Sequence, residues 1–271
     1  MSDVFSFELE RTVLEFRGAD TVRFLNGQLS NDVKKLQPQI AMHACVMTAK
    51  GKLNAEVWLT KLEDGIRVDG PAKMGEELLA RFERYIISDD VVVTDVSNDW
   101  KLVHQVGGSG GITSHRFGIA GSDFWLKPGD AKPASPRLLN RLELESFRIA
   151  RGIPAWGSEL DANTIPVEAG LDCIDYHKGC YIGQEVISRL KSVGHVNRHL
   201  VRLRAKPDSG LVVGAGLRVA DQIVGSVTSC AQSLDLESVV ALAYVKRAHA
   251  APGTILATEN GETLTVLPLV P

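Results

Sequence analysis

The sequence predicts an α+β protein that closes with a small antiparallel β-barrel or sandwich, and three observations carry that prediction. Helix-like and strand-like segments follow one another over residues 1–198. From residue 199 onward the texture changes to short segments of alternating apolar and polar residues. Within that last stretch, "NG" at 260–261 sits between two such runs, a strong short-range hairpin signal. A chain of 271 residues is long for one ordinary core and suits one large domain or two to three smaller ones. The expected division is a mixed α+β region over 1–198 and a barrel over 199–271.

In order along the chain, "TVLEFRG" at 12–18 reads as a short strand. "ADTVRFLNGQL" at 19–29 reads as a helix with Asp20 at its N-cap and Val22, Leu25 and Leu29 on one face. Residues 42–70 read as three strands joined by turns at "AKGK" and "EDG". "PAKMGEELLARFERYI" at 71–86 reads as a helix with Pro71 in its first turn and Met74, Leu78 and Phe82 at helical spacing. Strands follow in "DDVVVTDVS" and "WKLVHQVG". "GGSGGITS" reads as a flexible loop, and "KPGDAKPASP" as a stiffer linker whose Ser135 and Pro136 open the helix "RLLNRLELESFRIARG", stopped by Gly152. Residues 153–175 carry little regular pattern. "HLVRLRA", "GLRVA", "IVGSVTSC", "VVALAYV" and "GTILATENGETLTVLPL" supply the strands of the C-terminal part. No internal repeat and no low-complexity tract is evident.

Bulk properties narrow the function classes. A hydrophobic content of 44% with 23% charged residues is the balance of a soluble globular protein. A net charge of -3 argues against a general polyanion-binding surface, so no direct nucleic-acid contact is expected. The start "MSDVFSFELERTVLEF" carries Asp3, Glu8 and Glu10 and has neither a basic leader nor an Arg-rich transit segment, so no targeting is expected. The longest apolar runs fall far short of the roughly 20 residues that cross a bilayer, so no membrane association is expected. Four cysteines dispersed along the chain make neither a disulfide framework nor a zinc pattern, which points to reduced thiols in the cytoplasm.

Residues 176–190, "YHKGCYIGQEVISRL", concentrate the chemistry. Gly179 and Gly183 bracket "CYI", and a helix starting near Gln184 with Val186, Ile187 and Leu190 on its buried stripe puts Cys180 just before a helix N-terminus. The helix end, Lys178 and His177 would all favour a thiolate. A catalytic nucleophile, a metal ligand and a small packing residue all stay open for Cys180 at this point. A Cys-His-Asp hydrolase using His177 or His195 with Asp175 lacks the local signatures of thiol hydrolases.

These residues carry a resemblance. "KGCYIGQE" at 178–185 resembles the signature of the YgfZ-type folate-binding proteins, relatives of the glycine-cleavage T-protein (aminomethyltransferase) that support iron-sulfur cluster assembly. "FLNGQLSNDV" at 24–33, "AKGKLNAEVWL" at 49–59, "RIARGIPAWGSEL" at 148–160, "IPVEAGL" at 165–171 and "ALAYVKRAHAAPGTIL" at 241–256 agree with it in order. The resemblance implies an aminomethyltransferase-like fold of two intertwined α+β parts plus a C-terminal antiparallel β-barrel around a central opening. It also implies tetrahydrofolate or a derivative as cofactor, iron-sulfur enzymes or assembly factors as partners, and support of tRNA modification.

Departures from the T-protein pattern bear on the reaction. Asn54 and Ala55 stand where the aminomethyltransferases carry an acidic pair, and an amide can neither ionise at neutral pH nor take a proton from an ammonium group. Glu56 follows next in line, but an adjacent strand position points to the opposite face, so aminomethyl transfer is disfavoured. "FGIAGSDFWL" at 117–126 resembles the segment that supplies a glutamate to the pterin, yet contains none; Asp123 is its carboxylate. The expectation is therefore a tetrahydrofolate-binding accessory factor, with a folate-dependent one-carbon transferase or demethylase as the alternative. Cys180 and Lys178 are the expected reactive pair; Met47, Asn54, Arg148, Tyr181 and Gln184 are the expected folate-binding residues. No metal site is expected.

Overall fold

The computed structural model describes residues 4–135, 137–235 and 237–269. Two compact units arise, Met1–Leu138 with Asp172–Ser188, and Leu139–Leu171 with Arg189–Pro271, so the chain passes from the first to the second, back, and out again.

The first unit contains two antiparallel sheets. Strands β1 (Phe5–Leu9), β2 (Arg11–Arg17), β3 (Met42–Met47), β4 (Leu53–Lys61), β5 (Ile66–Pro71), β6 (Val92–Asp95), β7 (Lys101–Val106), β8 (Ile112–Ser114) and β9 (Gly121–Leu126) belong to it. Five of them form a sheet in the order β3-β4-β5-β2-β6, and four form a second in the order β1-β7-β9-β8. Helices α1 (Thr21–Gln28) and α2 (Gly75–Glu83) supply Phe24, Leu25, Leu78 and Phe82, all buried. Phe82 meets Phe16 of β2 edge-on, with centroids 4.9 Å apart. Burying each such ring from water is worth about 1.5–3 kcal/mol.

The expected elements are present, with shifted ends. Asp20 occupies the N-cap of α1, but its carboxylate accepts from the Asp90 amide at 2.9 Å and pairs with Arg23 instead of capping. Val22 is exposed, and Phe24 takes the core position expected of it. Pro71 ends β5 rather than opening α2, which starts at Gly75 with Glu76 and Glu77 in its first turn. The expected loop "GGSGGITS" contains β8, because Ile112, Thr113 and Ser114 find partners on β9.

The second unit holds α3 (Arg141–Arg151) and a closed antiparallel barrel. Helix α3 begins later than expected because Asn140 builds a capping box: its side chain accepts from the Leu142 and Glu143 amides, and Glu143 reaches back to the Asn140 amide. Pro136, expected to open this helix, lies outside the described residues, and Ser135 donates to the Arg137 carbonyl. Gly152 caps the C-terminus as expected. The helix α4 (Gln184–Ser192) starts at the expected residue.

The barrel joins β10 (Arg198–Ala205), β11 (Gly216–Val219), β12 (Gln222–Gln232), β13 (Val239–Lys246), β14 (Ile255–Thr258) and β15 (Thr263–Leu267) in the order β10-β13-β12-β11-β14-β15. Pairing of Leu203 with Val266 closes it, which decides between barrel and sandwich. Inward residues Val201, Leu203, Leu217, Val227, Ala243, Leu256, Leu264 and Val266 fill the interior. Asn260 and Gly261 turn between β14 and β15, as the hairpin signal predicts.

Candidate functional site

The segment 172–188 enters the first unit as a loop sewn to α1 and β3. Its key fastener is Lys178, whose Nζ donates to the carbonyls of Asn26, Leu29 and Asn31, each at 2.7 Å. These carbonyls lie at and just beyond the C-terminus of α1, where orphan acceptors and the helix dipole favour a cation. Burial pushes the Lys178 ammonium down to about 8, so it keeps its charge at neutral pH. An ammonium has three hydrogens, and all three are spent on carbonyls. None is left to pair with Cys180 or with an anionic ligand, so the geometry makes Lys178 the loop's anchor.

Beyond Lys178 the chain turns through Gly179 and Cys180, both exposed. Tyr181 then turns inward and is buried, with the Lys178 Nζ 5.0 Å from its ring centroid. Its hydroxyl has no hydrogen-bond partner among the described residues, and burial pushes its pKa well above the usual phenol range. The Ile182 amide donates to the Gly27 carbonyl at 3.3 Å. At Gly183, φ is +90°, and a Cβ there would sit 2.7 Å from the Thr48 carbonyl oxygen. Gly51, in the turn between β3 and β4, is pressed from the other side: a Cβ on it would lie 3.0 Å from Val186. The two glycine turns therefore cross at backbone distance. Gly179 differs, since nothing lies within 4 Å of the Cβ it would carry.

The remaining expected residues separate into distinct roles. Gln184 is the first residue of α4, half-buried, its amide donating to the Tyr181 carbonyl at 3.2 Å. Met47 is fully buried at the end of β3, where a Cβ on Gly183 would come within 3.3 Å of it. Asn54 is half-buried on β4. Glu56, two residues on, shares its face and approaches the His43 Nε2 at 2.7 Å, a charge contact outside hydrogen-bond alignment. Burial raises the Glu56 carboxyl, but His43, Arg11 and Arg116 together outweigh it and the pKa is lowered on balance. His43 stacks on Trp58, with centroids 4.5 Å apart.

Arg148 lies in the second unit, on α3. Its Nε and Nη2 hold Glu145, Nη2 also donates to the Ser229 hydroxyl at 2.8 Å, and Nη1 donates to the Ile153 carbonyl and to Glu159, each at 3.0 Å. A guanidinium has five donors, and all five are used. No donor remains for a folate carboxylate while these contacts hold.

Asp123 is likewise committed. It accepts from His104 Nδ1 and Arg116 Nε, each at 2.7 Å, and Arg116 also holds both oxygens of Asp69. Burial opposes the charge on Asp123, yet Arg116 and His104 lower its pKa on balance. The Cys180–His177–Asp175 grouping, which the sequence already disfavours, has its carboxylate engaged elsewhere, since Asp175 pairs with Lys35 at 2.5 Å.

Sequence reasoning passed over Ser30, Cys45 and Cys173. The Ser30 hydroxyl donates to the Cys173 carbonyl at 2.6 Å and accepts from the Cys45 amide at 2.8 Å. The two cysteine sulfurs lie 3.0 Å apart. They are 128 positions apart in sequence, so no spacing rule could have paired them.

Comparison with known proteins agrees with this architecture. Residues 198–268 match the glycine cleavage T-protein C-terminal barrel domain. The chain is 27% identical to an iron-sulfur cluster assembly factor IBA57 homolog, mitochondrial, of Mycosarcoma maydis, over 71% of this chain and 55% of that protein. It therefore spans about half the length of that relative. It is 26% identical to the tRNA-modifying protein YgfZ of Sodalis glossinidius, over 76% of this chain and 73% of the relative. In fold it resembles the glycine cleavage system aminomethyltransferase T from Bartonella henselae, with a TM-score of 0.84 at 19% identity, covering 98% of this chain and 86% of that one. The chain thus carries a glycine cleavage T-protein C-terminal barrel domain over residues 198–268, has the fold of an aminomethyltransferase T, and is similar in sequence to proteins named YgfZ and IBA57.

Proposed function

We propose that this chain is an accessory protein for the assembly or repair of iron-sulfur enzymes, or for tRNA modification, that binds a reduced folate and uses Cys180 as its functional thiol. The single observation that carries this reading is the loop itself. Cys180 is exposed, whereas Lys178 and Gly183 on either side are held rigidly by three carbonyls and a backbone crossing. A fold that invests this much in presenting one thiol gives it a partner outside the chain. The relatives named for iron-sulfur cluster assembly and for tRNA modification agree with that partner class.

A tetrahydrofolate fits the residues present to a limited extent. The unpartnered Tyr181 hydroxyl is a buried polar atom that a ligand would satisfy, and the half-buried Asn54 amide can both donate and accept. When bound, a reduced folate supplies a one-carbon carrier; Tyr181, Asn54 and Gln184 are the residues that would hold it. Arg148 and Asp123 take no part, because their bonds are complete within the protein.

Aminomethyl transfer is disfavoured by Asn54 and Ala55. Neither residue ionises to steady an ammonium group.

The decisive experiment is complementation. In cells lacking the native gene, Cys180→Ala is expected to lose most iron-sulfur enzyme activity while melting at the wild-type temperature. Full restoration by Cys180→Ala would remove the thiol from the mechanism. A reduced folate at about 100 times its dissociation constant should add about 2.7 kcal/mol to stability; no rise in the thermal midpoint would remove folate. One-carbon turnover well above background with methylated amine donors would replace the accessory reading with a transferase.

A further inference from the structure

One pair of nucleophilic groups in the first unit has no role in the Cys180 loop's presentation. Cys45 on β3 and Cys173 at the root of the loop are 0% and 1% exposed. Their sulfurs lie 3.0 Å apart, closer than two sulfurs in ordinary van der Waals contact. Ser30 fixes both backbones, accepting from the Cys45 amide and donating to the Cys173 carbonyl, so the approach is built in at main-chain level. Either sulfur can donate to the other; the contact with Cys45 lowers the Cys173 thiol's pKa, and burial raises that of Cys45.

A metal site does not account for the pair. Among the described residues, no group of three or more His, Cys, Asp or Glu side chains could hold a metal ion, and a structural zinc takes four ligands. Simple packing does not account for it either, because packing places sulfurs in contact and not inside it.

We propose that Cys45 and Cys173 form a redox pair, a modification site that reacts with hydrogen peroxide as a two-electron oxidant and closes to a disulfide. The Cys173 thiolate attacks one peroxide oxygen, the O–O bond breaks, and water leaves after protonation of the departing oxygen. Cys173 becomes a sulfenic acid. Cys45 Sγ then attacks the Cys173 sulfur, the S–O bond breaks, and a second water leaves with the Cys45 proton. Two thiols are oxidised by two electrons and one peroxide is reduced to two waters. The oxidant reaches Cys173 by opening of a segment that has neither helix nor strand. The product fastens β3 to the root of the segment that presents Cys180.

The test uses the full-length chain with Cys180→Ser, so that the exposed thiol does not compete for oxidant. Hydrogen peroxide is added, and the protein is then alkylated in denaturant and digested. Two of the three remaining cysteines are expected to escape alkylation, and a peptide joining Cys45 to Cys173 should appear and vanish with dithiothreitol. The same peptide is expected from the unmutated chain equilibrated in oxidising glutathione buffer. Cys45→Ala, if it folds, should yield no joined peptide, and its Cys173 should stop at the sulfenic acid, which dimedone traps. Absence of the Cys45–Cys173 peptide under both oxidants, or thiol loss that dithiothreitol does not reverse, would overturn the proposal.

Discussion

Three residues of one motif show how differently neighbouring side chains are constrained. Gly183 has a positive φ and a carbonyl oxygen where its Cβ would be; Gly179 has open space. Gly183→Ala should therefore destabilise the protein by about 2 kcal/mol or more, from left-handed strain plus overlap with Thr48. Gly179→Ala should be neutral, or stabilising by up to about 1 kcal/mol through the unfolded chain. Chemical denaturation of the two variants side by side checks this; equal losses would contradict the crossing of the two turns. Lys178→Met strands three carbonyls and should cost about 2–4 kcal/mol. Its effect on Cys180 should come through loss of the loop's position rather than through the thiol's charge.

Among elements, the buried ion network binds strands of both sheets in the first unit. Arg116 joins Asp123 of β9 to Asp69 of β5, Arg11 of β2 adds a bond to Asp69 at 2.6 Å, and His104 of β7 completes the set. Breaking a buried charge pair from one side costs about 3–5 kcal/mol, because the other charge is left without its partner. Asp123→Asn is expected to cost that much at neutral pH. The pH dependence has a definite sign. A carboxyl whose folded pKa lies below its unfolded value of about 3.9 contributes stability in full above that value, and loses it as pH falls towards the folded pKa. Asp123 is such a group. The wild-type midpoint should fall steeply below about pH 4, and the Asp123→Asn curve should be flatter there. Parallel curves in a thermal scan against pH would show that the network carries no such linkage.

For the molecule as a whole, the barrel interior supplies a core of its own. Leu256, fully buried among Leu203, Leu217 and Val266, is expected to cost about 2–5 kcal/mol when cut to Ala, by lost transfer energy and the cavity left behind. A urea titration measures it, and a loss under 1 kcal/mol would mean that the barrel collapses around the gap. Much of this architecture was legible beforehand. The strands of the barrel and the helix starting at Gln184 came from local alternation, helical spacing and the Asn260-Gly261 turn, all of which act over a few residues. Helix ends were less legible, because Asn140 and Asp20 are both good cap residues and only Asn140 caps.

The sequence by itself determined the kinds of element, their order, the barrel's strands and the motif that presents Cys180. It could do so because hydrophobic period, turn chemistry and motif composition are written in adjacent residues. Tertiary structure alone decided which charges were free. Lys178 and Arg148 look available in the sequence, yet each has every donor occupied by groups that the fold brings to it. Tertiary structure also paired Cys45 with Cys173 across 128 positions. Hydrogen-bond saturation and sulfur contact depend on distance in space, and no local pattern encodes that distance.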